Sequence, residues 1–203
     1  MSEAVQPIAT LARFRGAKLA FRPMHVWALR VRLQIACRLR DLALFDLALD
    51  SKLRGCDVVA LRLDDVIAGG AIRRRATVLQ RKTGRPVQFE ITDQTQRSLS
   101  DWLSTSHRAE SEWVFPSRMH PGKHLSTRQY ARLVKQWVDL IGLEGSNYAT
   151  HSLRRTKVSL LYRKTGNLRA CQLLLGHTKL ESTVRYLGVE VDDALQLSEG
   201  LEI

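Results

Sequence analysis

The chain has 203 residues, 44% of them apolar, enough for one good-sized domain with a real core. Its formal net charge of +12 points to a polyanionic partner, nucleic acid being the commonest. Cys37, Cys56 and Cys171 are too few and too scattered for a disulfide framework or a zinc pattern and fit a reducing cytoplasm, while no apolar run reaches the roughly 18–20 residues that span a bilayer.

Residues 1–23 read as a basic arm ending at Pro23, with Arg13, Arg15, Lys18 and Arg22 available to phosphates and no signal-peptide core. Apolar residues at helical spacing (Val26, Leu29, Leu33, Ala36) predict a helix from about Met24 to Leu39. Asp41 is placed to cap a second helix through Leu49, and Asp50-Ser51 to open a third with Leu53, Val58 and Leu61 inward. Gly69-Gly70 breaks the helical region. Ile72–Leu79 and Pro86–Ile91 then alternate around Thr83-Gly84 and predict a hairpin.

Thr92 or Asp93 caps a helix through Leu103, Trp113–Phe115 is a short extended piece stopped by Pro116, and Met119–Leu125 is a loop. Ser126 and Gln129 form a capping box. The helix behind them carries Tyr130, Leu133, Val134, Trp137, Val138 and Ile141 as one apolar stripe. Thr150 caps the next helix, Asn167 caps one ended by Gly176, and a short helix covers Glu181–Leu187. The expected fold is mainly α with a small antiparallel β-sheet (α+β): a domain over 24–189 between the arm and an acidic tail at 190–203.

Charge is segregated along the chain. Residues 151–185 carry eight Lys/Arg against the single acid Glu181, whereas 190–202 carry five acids and no base. The hairpin holds Arg73, Arg74, Arg75, Arg81, Lys82 and Arg85 with no acid among them, which suits a DNA backbone contact, as Arg155 and Lys157 do further on. His151 and Arg154 stand one helical turn apart and point the same way. His177 follows Gly176, and Tyr186 comes nine residues later beside Arg185.

Each of these has a plainer reading: His177 as a histidine satisfying a helix C-terminus, Tyr186 as an amphipathic tyrosine, Lys82 as a charged turn, and Arg54 as a side chain paired with Asp57 one turn on. Taken together, a tyrosine, two histidines and several cations suggest phosphodiester chemistry that needs no metal: the hydroxyl attacks and the cations hold the phosphate.

In this order the residues resemble the tyrosine recombinase, or phage integrase, family, whose ordered set is Arg, Lys, His-x-x-Arg, His or Trp, then Tyr. SKLRGCDVVALRLDDV resembles the first-arginine motif and gives Arg54; Asp57 stands where the family usually has Glu. QRKTGR resembles the lysine-bearing turn and gives Lys82, THSLRRT gives His151 and Arg154, LLGHT gives His177, and the nucleophile position falls on Tyr186. The resemblance covers about residues 25–190. It is to the small single-domain members that lack the N-terminal core-binding domain, which implies that site recognition draws on an accessory DNA-binding protein, cooperative assembly or the basic arm.

The resemblance implies a site-specific recombinase or integrase acting on double-stranded DNA through a covalent 3′-phosphotyrosine, with no cofactor. It also implies self-association on DNA, as a tetramer in the family, and a cytoplasmic, nucleoid-associated location with no membrane role. Arg54 and Arg154 would fork onto the phosphate oxygens, Lys82 would protonate the leaving 5′ oxygen, His151 would relieve Tyr186 of its proton and His177 would hydrogen-bond the phosphate. Two rivals stand beside this: a DNA-relaxing activity like type IB topoisomerases, and a non-catalytic DNA-binding accessory or regulatory protein on the same scaffold.

Overall fold

A computed structural model describes residues 18–105, 111–188 and 198–199. Residues 1–17 of the predicted arm and nearly all of the predicted acidic tail lie outside the described residues. Among the described residues the elements are α1 (Pro23–Ile35), α2 (Leu39–Ser51), α3 (Gly55–Val59), α4 (Leu63–Val66), β1 (Ile67–Ala68), β2 (Ala71–Ile72), β3 (Arg75–Leu79), β4 (Pro86–Glu90), α5 (Asp93–Leu103), α6 (Thr127–Leu140), α7 (Thr150–Thr165), α8 (Leu168–Leu175) and α9 (Leu180–Leu187). The fold is mainly helical with small antiparallel sheet elements. None of these helices is long and apolar enough to cross a membrane.

The core is built around α2. From Asp41 to Ser51 every residue of this helix is buried, as expected of a helix packed on all sides. Ala43, Leu44, Phe45 and Leu47 meet side chains from α1, α5, α6 and α7 in one cluster that includes Leu29, Leu99, Trp137 and Leu153. The acids on α2 are carried inward with partners. Asp41 binds Arg38, Arg40 and the Trp137 indole, and Asp46 binds Arg30 at 2.7 Å.

Asp50 Oδ1 takes the Lys157 ammonium at 2.6 Å, and its Oδ2 accepts from the Thr92 and Thr95 hydroxyls. Glu90 bridges Lys157 and the buried Lys52. Burial pushes the Asp50 and Glu90 carboxyls up, but the hydrogen bonds and charges around them, Lys157 foremost, together outweigh it and both are held below their ordinary range.

Several boundaries differ from those the sequence predicts. The first helix stops at Ile35 and a new one begins at Leu39, so Asp41 sits in the first turn, paired with arginines, instead of capping. Asp50 and Ser51 close α2 instead of opening the next helix, because Lys52 turns the chain left-handed (φ 54°). The glycine pair is the tip of a two-residue ladder, with Ile67 opposite Ile72, and Arg75–Leu79 pairs separately with Pro86–Glu90, Ala76 lying opposite Phe89. The predicted cap at Thr150 moves one residue back to Ala149.

Ser126 and Asn167 do cap their helices, accepting from Gln129 N and Ala170 N. Only half of the predicted box is made, since no bond returns from the Gln129 side chain. The predicted stripe on α6 is buried from Tyr130 to Val138.

A second, smaller core joins the far face of α7 to α8 and α9. It consists of Val158, Cys171, Leu175 and Leu187, with Tyr162 and Tyr186 packed against it. The described end of the predicted arm is docked. Phe21 is buried and stacks on Tyr148, and its amide donates to Thr156 Oγ1.

Candidate active site

The helix α7 places His151 and Arg154 a turn apart. His151 lies at the rim, and Arg154 is only 3% exposed. The Arg154 Nη2 donates to Leu175 O at 2.7 Å, so the α8 C-terminus is tied to α7 where His177 begins. Gly176 makes that junction possible. It is left-handed (φ 64°), and a Cβ placed on it would lie 2.5 Å from Val87 Cγ2. Beyond it, His177 Nδ1 pairs with Thr183 Oγ1 at 3.1 Å, which fixes the ring against α9.

Tyr186 on α9 faces all of these. Its ring meets His177 edge-on at 5.5 Å, with the Arg154 and Arg155 guanidinium carbons 5.7 and 5.3 Å from its centroid. Its hydroxyl lies 3.5 Å from His151 O, the outer limit of a hydrogen bond. Around it is a cleft of about 640 Å³ whose wall includes Lys18, His151, Arg155, Lys179, Arg185 and Tyr186. Burial pushes the Tyr186 hydroxyl up to about 12, against the pull of Arg154, Arg155 and Arg54. Burial, with Arg154 and Arg54, drives His177 down to about 4. His151 is lowered as well, by burial and then by Arg154, Arg54 and Arg155. Both imidazoles are therefore neutral at pH 7, inside a field of guanidinium charge.

Arg54 is the residue before α3 and joins this field, but not through the partner the sequence predicts. Its Nη1 donates to Gln80 Oε1 at 2.6 Å. Asp57 turns instead to the hairpin, accepting from the Arg81 backbone N–H at 3.0 Å. Lys82 sits on the exposed turn between Arg81 and Thr83.

Of the cations assigned to DNA, Arg73, Arg74, Arg75, Arg81 and Arg85 are exposed on the hairpin. Arg155 is half-buried against Tyr186 and donates to Lys18 O. Lys157 faces inward, its ammonium held between Asp50 and Glu90. The structure thus brings together Arg54, His151, Arg154, His177 and Tyr186, leaves Lys82 on the exposed hairpin turn, and sets Lys157 apart.

Sequence reasoning missed Gln80. A signal for Gln80 was present. It continues the inward face of β3 after Ala76 and Val78, and it is a polar residue at the buried end of an alternating strand. Lys18, one of the arm bases expected to meet phosphates, lines the cleft and donates its ammonium to Ser146 O, 128 residues away.

Residues 31–192 match the profile of the phage integrase family. The chain belongs to that family, the tyrosine recombinases. Among curated family members it is 30% identical over 161 residues to the tyrosine recombinase XerC of Chromobacterium violaceum, covering 79% of this chain and 52% of that protein. It is 27% identical over 153 residues to the probable integrase/recombinase YoeC of Bacillus subtilis, covering 75% and 80%.

The chain spans about half the length of most of the curated recombinases it matches. Its fold is that of solved tyrosine recombinases. The XerA recombinase superposes with a TM-score of 0.75 at 15% identity, covering 92% of this chain and 67% of that one. A lambda integrase fragment, solved as a dimer bound to a core site, gives 0.64 at 20% identity, covering 87% and 60%.

Proposed function

We propose that this family member is a site-specific recombinase that cleaves and rejoins double-stranded DNA, with Tyr186 as the nucleophile. The observation that carries the reading is the setting of the Tyr186 hydroxyl. It lies in a cleft beside two neutral imidazoles and under two guanidinium groups, with a third, Arg54, acting on it electrostatically. Solved structures of this fold described as bound to a difH substrate, a circular intermediate DNA and a core site support DNA as the partner.

In the proposed reaction Tyr186 Oη attacks a backbone phosphorus. The bond to the 5′ oxygen breaks, the 3′ phosphate stays on the tyrosine, and the 5′ oxygen leaves as a hydroxyl. Attack by the 5′ hydroxyl of another strand reverses these steps and restores a phosphodiester, so no energy source is consumed. Arg54 and Arg154 meet the two non-bridging oxygens as charge builds in the pentacoordinate state. A hydroxyl held near 12 needs a base at neutral pH, and neutral His151 at the rim is suited to take its proton. Lys82 reaches in from the turn to protonate the leaving oxygen. His177, whose Nδ1 is engaged by Thr183, offers its other nitrogen to the phosphate.

The exposed hairpin arginines and the basic rim hold the DNA backbone on either side. The predicted arm, the acidic tail and assembly of several copies on DNA belong to this reading. The test is to express the chain, isolate protein–DNA covalent adducts under denaturing conditions and sequence the attached ends. Adducts at one site, with recombinant junctions there, support the recombinase. Relaxed plasmid without junctions favours a DNA-relaxing enzyme. Tight DNA retention with neither favours an accessory protein.

A further inference from the structure

The side chain of Gln80 joins three parts of the cleft that come from distant stretches of chain. It is 1% exposed, at the junction of β3 and the hairpin turn. Its Oε1 accepts from Arg54 Nη1 at 2.6 Å and from Thr83 Oγ1 at 3.0 Å. Its Nε2 donates to Leu175 O at 3.2 Å, the same carbonyl that takes Arg154 Nη2. Its backbone carbonyl closes the turn, accepting from Thr83 N and Gly84 N. One amide thus touches the first arginine, the residue after Lys82 and the peptide just before Gly176-His177.

The chemistry of an amide suits this place better than any alternative of its size. Oε1 is a neutral acceptor, so it fixes the guanidinium fork of Arg54 without cancelling its charge. A carboxylate there would hold Arg54 as tightly but would compete with a phosphate for the same cation. It would also lose the donor that meets Leu175 O. An apolar residue would leave a guanidinium and a buried carbonyl without that partner.

From this geometry we infer that Gln80 is a positioning residue for phosphate binding, holding Arg54 in aim and keyed to the Lys82 turn and the His177 loop. The inference rests on the reading of the cleft as a phosphodiester site and deepens it.

Two measurements on the full chain test it separately from that reading. In the first, inorganic phosphate binding is followed by ³¹P line broadening for wild type, Arg54→Ala, Gln80→Leu and Gln80→Glu, each checked for an unchanged near-ultraviolet circular dichroism spectrum. Gln80→Glu, the closest in shape, is expected to weaken phosphate binding about tenfold or more, approaching Arg54→Ala, with Gln80→Leu between it and wild type. Phosphate affinity unchanged in a folded Gln80→Glu overturns the inference.

In the second, covalent adducts are counted in cells for wild type, Tyr186→Phe and both Gln80 variants. About tenfold fewer adducts with both Gln80 changes, at undiminished DNA retention, is the expected result. Wild-type adduct levels in both overturn the inference. Adducts equal in wild type and Tyr186→Phe sink the recombinase reading instead, and the phosphate arm still decides the role of Gln80.

Discussion

The His177 imidazole stands edge-on to the Tyr186 ring, 5.5 Å between centroids, with its Nδ1 tied to Thr183 on the same short helix. The two residues therefore move as one unit with α9. That unit is fastened to the rest of the site through Leu175 O, where Arg154 and Gln80 converge. Consequences for stability and for chemistry follow from this arrangement.

Acid should loosen the site before it unfolds the domain. His177 is held at about 4, below its ordinary 6.5, mainly by burial. Between those two values the unfolded chain binds more protons than the folded one, so the contribution of this group is whole above pH 6.5 and is lost as pH falls toward 4. The ring is half-exposed and partly screened, so the loss is roughly 1 kcal/mol. Urea midpoints measured from pH 7 to 5 are expected to fall in wild type and to fall less in His177→Gln. Equal slopes would remove His177 as the source.

The rate of covalent attack should share part of this pH dependence. His151 is lowered by burial and neighbouring arginines, so it is neutral and able to accept a proton at pH 7. Adduct formation is expected to hold steady from neutral pH upward and to decline on acidification as this imidazole charges, at a pH below the ordinary imidazole range. His151→Gln should lower the plateau by about 100-fold and flatten that decline. A wild-type decline that survives in His151→Gln would assign the titration elsewhere.

Gly176→Ala should cost about 1–3 kcal/mol of stability. The backbone there is left-handed, and the added methyl would run into Val87. The loss is read from urea unfolding. Since the same peptide carries His177, adduct yield should fall with it. A stability change under about 0.5 kcal/mol would mean the junction relaxes easily.

Lys157 and Arg85 should behave as opposites although both are basic. Lys157 is locked between Asp50 and Glu90. Lys157→Met is expected to destabilise the fold by about 3 kcal/mol, because Asp50 loses its cation and Glu90 one of its two, and to leave the salt dependence of DNA binding unchanged. Arg85 is exposed on the hairpin. Arg85→Ala is expected to leave the urea midpoint alone and to reduce the salt slope of DNA binding by about 1. The reverse pattern would place Lys157 on the DNA.

The helices around the site were largely legible in the sequence because their signals are local. The α6 stripe, the Asn167 cap and the Gly176 stop lie within a few residues of what they control, as do the one-turn spacing of His151 and Arg154 and the short step from His177 to Tyr186. Boundaries failed where tertiary packing overrode them. Asp41 and Asp50 look like caps, yet α2 is buried all round: Asp41 pairs with Arg38 and Arg40 beside it, and Asp46 and Asp50 take cations 16 and 107 residues away. The partner of Arg54 was misread for a related reason. Asp57 is near in sequence, but Gln80, 26 residues away, reaches the guanidinium first. Lys157, which looked like one more surface cation on a basic helix, finds its carboxylate 107 residues away. Spacing along the chain carries no record of such contacts.

The central claim is that Tyr186 attacks DNA. The most direct measurement is to capture the protein covalently bound to DNA, digest the DNA with nuclease and map the residual nucleotide by mass spectrometry, beside Tyr186→Phe. The account predicts a 3′-phosphoryl nucleotide on Tyr186 and no adduct in the Phe variant, which should still bind duplex DNA. A nucleotide mapped to Tyr148, Tyr162 or any other residue, or an adduct that persists in Tyr186→Phe, would contradict it.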